Sequence, residues 1–175
     1  MTKALGWDIV KVGMNAVTDS KIISIGLAKI VKDCDVSSGR VVAIATTRNG
    51  HVIAAETNRQ TSGVHNEWSI HAERFLAIKL NRINTKNRFR HITVYVMRLA
   101  DYGITMARPC EHCQEALRNC GYIEEIYYSN WDGEFIRFKD GIIDEKPSSI
   151  PTNKGLLKKV FNASNAKKLS RNSSK

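Results

Sequence analysis

The chain has 175 residues, 42% hydrophobic and 25% charged, a balance that suits one globular domain with a sizeable core and leaves little room for a second. No apolar run approaches the roughly 18 residues of a membrane helix, and the N-terminus lacks a basic flank followed by an apolar stretch. A cytoplasmic protein without membrane contact is therefore expected, and the net charge of +10 is concentrated in a basic tail.

The elements follow in chain order. Asp19 or Ser20 can cap a helix over 19–33, where Ile23, Leu27 and Ile30 share a face. Val41–Thr47 and Val52–Thr57 flank Asn49-Gly50, a strong hairpin signal in which both central residues are expected at positive φ. A polar loop, Asn58 to Glu67, precedes a helix from about Ser69 to Asn81 with an apolar stripe of Ala72, Phe75, Leu76, Leu80 and Ile83. His91–Arg98 reads as a buried strand and Leu99–Arg108 as a loop. Pro109 then favours the first turn of a helix running to about Asn119, which Gly121 can close. Ile123–Tyr128 and Glu134–Lys139 are strands separated too briefly for a helical crossover, so they should pair antiparallel.

The sum is an α/β layer architecture. A domain spanning 1–150, N-terminal helix included, is followed by a basic segment, 151–175. That segment holds Lys154, Lys158, Lys159, Lys167, Lys168, Arg171 and Lys175 and no acid. A short amphipathic helix is expected over 155–169, and disorder beyond about Lys168. The tail is a candidate for contact with nucleic-acid phosphates, although a solvated terminus is the commoner explanation of such charge.

Two strings carry the chemistry: His71-Ala72-Glu73, and Pro109-Cys110-Glu111-His112-Cys113. His71, Cys110 and Cys113 have the softness and number of a three-ligand zinc site. Each string opens a helix, so both helix N-termini would converge on the metal, where their dipoles favour thiolates. A fourth position stays open for water, which zinc acidifies to a pKa of about 7, and Glu73 is placed to take and pass on a proton. The alternatives are a redox Cys pair and a structural zinc site, the latter needing a fourth ligand from Cys34, His112 or Cys120. The four cysteines lie in a chain without a secretion signal, which favours reduced thiols.

On these motifs the region from about Val41 to Lys139 resembles the cytidine and deoxycytidylate deaminase superfamily, whose signature joins H-x-E to P-C-x-x-C. The resemblance implies a three-layer sandwich with a five-stranded mixed sheet, and zinc between two helix N-termini. It implies His71, Cys110 and Cys113 as ligands and Glu73 as proton shuttle. It also implies substrate contacts from Asn58 and from the main-chain N–H of Ala72. Histidine at 71 is similar to the deoxycytidylate, tRNA-adenosine and polynucleotide branches, whereas a terminal hairpin is similar to the cytidine branch. A homo-oligomer is in keeping with the superfamily, with no interface legible in the chain.

Three functions follow for comparison. The first is hydrolytic deamination of a cytosine-type base in a free nucleoside or nucleotide, favoured by the nearly neutral body. The second is deamination of cytosine or adenine in single-stranded DNA or RNA, suggested by the tail, by Arg108, and by Trp68, Tyr102 and Trp131 as stacking residues. The third is a non-catalytic zinc-stabilised binding module. His65, in the loop before the first motif, is a candidate to line the pocket, although a solvent-facing loop histidine is the commoner explanation.

Overall fold

The computed structural model describes residues 16–34, 39–60 and 69–140. The expected tail helix and the boundary at 150, like His65 and Trp68, lie outside the described residues. The elements are α1 (Ala16–Asp33), β1 (Arg40–Thr46), β2 (Val52–Thr57), β3 (Arg59–Gln60), β4 (Ser69–Ile70), α2 (Ala72–Ile83), β5 (Ile92–Ala100), β6 (Gly103–Thr105), α3 (Glu111–Arg118), β7 (Ile123–Ser129) and β8 (Phe135–Arg137).

The main sheet runs β2-β1-β5-β7-β8, with β5 and β7 parallel and the other neighbours antiparallel. These are the five expected strands, but the sheet has six. β6, from the expected 99–108 loop, pairs with Arg98–Ala100 because β5 runs two residues past its expected end. The 58–67 loop likewise contributes β3, which pairs with β4 in a separate two-stranded ladder.

Alternation along the central strands divides the core into two layers. Ala43, Ala45, Val94 and Val96 face α2 and α3, together with Leu76, Leu80 and Leu117. Val42, Ile44, Met97 and Leu99 face α1, which contributes Ile22, Leu27 and Ile30. Helices thus cover both faces, completing the three-layer sandwich. On α1 the fully buried residue is Ile22 rather than Ile23, and the helix starts at Ala16, before the expected caps. Ile83, at the end of α2, is exposed and lies outside the core stripe.

The β1–β2 hairpin also departs from expectation. Only Gly50 has positive φ, at 76°; Asn49 does not. The Gly50 N–H donates to Thr47 O at 2.9 Å, and Thr47 N–H donates to His51 O at 2.9 Å. That is a three-residue loop with glycine at its left-handed position, which the two-residue turn does not describe. The β7–β8 hairpin is antiparallel as expected, and Asn130 Oδ1 holds its turn by accepting the N–H groups of Asp132 and Glu134 at 2.9 Å. Among the described residues no helix is long and apolar enough to cross a membrane.

On the α1 face, Tyr95 stacks on Tyr127 at 5.4 Å and meets Phe135 edge-on at 5.5 Å. Burial, reinforced by Tyr127, Asp19 and Glu125, pushes the Tyr95 phenol up to about 12. A phenol that ionises later in the folded than in the unfolded chain adds stability below its ordinary pKa of about 10, and loses it as pH rises towards 12. Chemical denaturation should therefore show stability falling by roughly 2 kcal/mol between pH 10 and 12, with Tyr95→Phe flattening that slope.

Candidate metal and catalytic site

The site lies where α2 and α3 begin, and local sequence explains both starts. His71 is the N-cap of α2, in extended backbone (φ −68°, ψ 146°), so the helix opens at Ala72 rather than at Ser69. Cys110 is the N-cap of α3 with similar angles (φ −67°, ψ 164°). Pro109 therefore precedes the cap instead of occupying the first turn. The next turn brings Cys113 to the side of Cys110, since residues three apart on a helix are neighbours.

Nδ1 of His71 lies 3.5 Å from Cys110 Sγ and 3.3 Å from Cys113 Sγ, and the three donors fall within 4.8 Å of one another. Zinc bonds of about 2.0 Å to nitrogen and 2.3 Å to sulfur require donor separations of roughly 3.3–3.8 Å in a tetrahedron. The donors fit zinc. Cys34, His112 and Cys120 stand outside this group: Cys34 contacts Asn58, His112 is exposed on α3, and Cys120 bonds Ala116 O at the far end of α3. Among the described residues no fourth protein donor joins the three, which fits an open position better than a closed structural site.

The electrostatics also call for a cation. Burial pushes the Cys113 thiol well above its ordinary value, and the neighbouring Glu73 charge adds to the effect. A thiolate in that place requires a compensating positive charge, and zinc supplies one. Glu73, second residue of α2, is 4% exposed and is not one of the donors. Burial raises its carboxyl pKa against the opposing influence of its own backbone N–H, His71 and Cys113. Its Oε2 has no hydrogen-bond partner among the described residues.

A cavity of about 240 Å³ opens beside these groups, lined by Asn58, His71, Glu73, Cys110 and Arg108 and, beside Gly39, by Arg98. Asn58 directly follows β2. Its Oδ1 accepts Val41 N–H at 2.8 Å and its Nδ2 donates to Gly39 O at 3.2 Å, clasping the start of β1. One of the two Nδ2 hydrogens remains for the cavity. Ala72 is buried at the first position of α2, where the N–H has no intrahelical acceptor. Tyr102 and Trp131, the candidate stacking residues, do not line the cavity.

Arg98 was not legible as a site residue from motif spacing. Strand periodicity carries a signal nevertheless: Arg98 shares its face with Val94 and Val96, and an arginine there interrupts a core-facing row.

Fold and donor geometry together define the class, an α/β domain built to hold zinc at an open three-ligand site beside a buried carboxylate. Residues 17–130 match the model of the cytidine and deoxycytidylate deaminase zinc-binding region. The chain belongs to that family, whose chemistry is zinc-dependent deamination. No curated protein matches the chain.

Two measurements check this site. Metal analysis of the purified protein should find stoichiometric zinc, lost in His71→Ala, Cys110→Ser and Cys113→Ser. Asn58→Ala, which leaves Val41 N–H and Gly39 O unpaired, should lower unfolding free energy by about 1–3 kcal/mol in denaturant titration.

Proposed function

We propose that the chain deaminates a cytosine-type base in a free nucleoside or nucleotide, replacing the exocyclic amine by oxygen from water and releasing ammonia. The observation that carries this reading is the buried, unpartnered Glu73 Oε2 beside the His71, Cys110 and Cys113 donors, in a cavity sized for little more than one base and its sugar.

Zinc held by those three residues supplies a Lewis acid that makes water a competent nucleophile at neutral pH. Glu73 is positioned to accept the proton that water gives up and to deliver it to a ring nitrogen of the base. Its raised pKa suits both directions, because a carboxyl that holds a proton nearer neutrality can also return it. The Ala72 N–H and the remaining Asn58 Nδ2 hydrogen are donors suited to the base carbonyl and the sugar. Cys110 and His71 are exposed enough to meet a ligand, while Cys113 anchors the set from below.

The cavity's limited volume supports a free substrate, as does the placement of Tyr102 and Trp131 away from it. The test is ammonia release from cytidine, deoxycytidine, their monophosphates, adenosine, single-stranded DNA and tRNA. Release is expected from the cytosine nucleosides or nucleotides, reduced about 10²–10⁴-fold in Glu73→Gln with zinc content retained. Glu73-dependent release confined to the polynucleotides would replace this reading with the strand-deaminating one, and none from any substrate would leave a zinc-stabilised module.

A further inference from the structure

Two arginines line the cavity, and they stand in different circumstances. The Arg108 guanidinium lies 4.9 Å from the Phe138 ring centroid and 5.8 Å from that of Tyr128. Its Nη1 donates to Tyr128 Oη at 3.3 Å and its Nη2 to Lys139 O at 3.4 Å. That fork is engaged in holding the β7–β8 end of the sheet against the approach to Pro109.

Arg98 is fixed through its backbone and unengaged through its side chain. Its N–H donates to Ser129 Oγ at 3.3 Å, and its strand neighbours are Val41 and Thr105. Among the described residues its guanidinium has no hydrogen bond or ion pair. The head is seated beside the turn into β1, where a Cβ on Gly39 would lie 3.2 Å from Nη2. Gly39 has φ +64°, so glycine both makes that turn and leaves the guanidinium its place at the cavity wall.

The chemistry orders whatever occupies this cavity. The amine of the base must reach Glu73 and the metal donors, so the sugar lies outward, and substituents on the sugar lie outermost. A planar fork with its donors unused, exposed at the cavity wall, suits a phosphate better than any neutral group, since it can bind two oxygens at once. We infer that Arg98 is the specificity-determining residue of this pocket and recognises a phosphate ester on the sugar of the target nucleoside. The inference rests on the deaminase reading for the direction in which the substrate lies. A 5′-monophosphate and a phosphodiester of a single strand share this chemistry, and a substrate panel separates them.

The experiment compares kcat/KM for deoxycytidine, deoxycytidine monophosphate and a cytosine dinucleotide in the zinc-loaded wild type, Arg98→Ala and Arg98→Lys. Circular dichroism and zinc content verify that each variant is folded. Equilibrium binding of the nucleoside and the monophosphate is measured alongside by calorimetry. In the wild type, a phosphate should raise kcat/KM roughly 10–100-fold over the nucleoside, the range of one charge-assisted pair. Arg98→Ala should collapse that ratio and Arg98→Lys should retain part of it. A gain for the dinucleotide alone assigns the phosphate to a strand and upholds the role of Arg98. Ammonia release with a ratio unmoved in Arg98→Ala, or no preference for phosphate at all, overturns the inference and leaves the deaminase reading intact. Arg98-dependent binding of the monophosphate without ammonia release from any substrate does the reverse.

Discussion

The pairing of β1 with β5 along seven residues, Arg40 to Thr46 against Leu99 to Thr93, is the constraint on which the rest of the molecule depends. It presents Ala43, Ala45, Val94 and Val96 as one surface, and the small alanine side chains let α2 settle closely against it. With α2 and α3 both seated there, their N-caps meet, and His71 and Cys110 come within reach of one ion. A register slip of one residue would turn that surface to the other face and separate the caps.

The site that results concentrates groups that are costly to bury apart and compatible together. Cys113 and Glu73 are both desolvated, and the Glu73 charge makes ionisation of the thiol harder still, while Cys113 opposes the rise that burial gives the Glu73 pKa. A divalent cation held by the three donors would offset that cost for the thiol, and the Glu73 carboxyl stands outside the donor group. Arg98 and Arg108 add positive charge to the lining of the same cavity. The metal donors and Glu73 come from the helix starts, whereas Arg98 comes from the end of β5.

Much of the architecture was legible because its signals are local. The short separation of Ile123–Tyr128 from Glu134–Lys139 excluded a crossover, and the observed hairpin agrees. Other features escaped for identifiable reasons. β6 is only three residues long, and it counts as a strand because the outer part of β5 offers it an edge. The Asn49-Gly50 turn was recognised, but its loop has three residues because the β1–β2 register shifts at Ala45/Thr46. On α1 the helical period places Leu27 and Ile30 in the core as expected, and only at the first turn does Ile22 replace Ile23 as the buried residue, since which side of the helix is covered depends on the sheet beneath it. The starts of α2 and α3 fall later than propensity places them, because the backbone at His71 and Cys110 remains extended.

By itself the sequence determined the donor types, their spacing and the α/β order of elements, because metal preference, helical neighbours three residues apart and strand alternation are properties of short segments. The meeting of His71 with two cysteines some forty positions away was decided by tertiary structure, as was the burial that raises the pKa of Glu73. So was the position of Arg98, a residue without a motif, at the wall of the same cavity. Each depends on which segments the sheet brings together, and side-chain distance and desolvation arise only once the chain is packed.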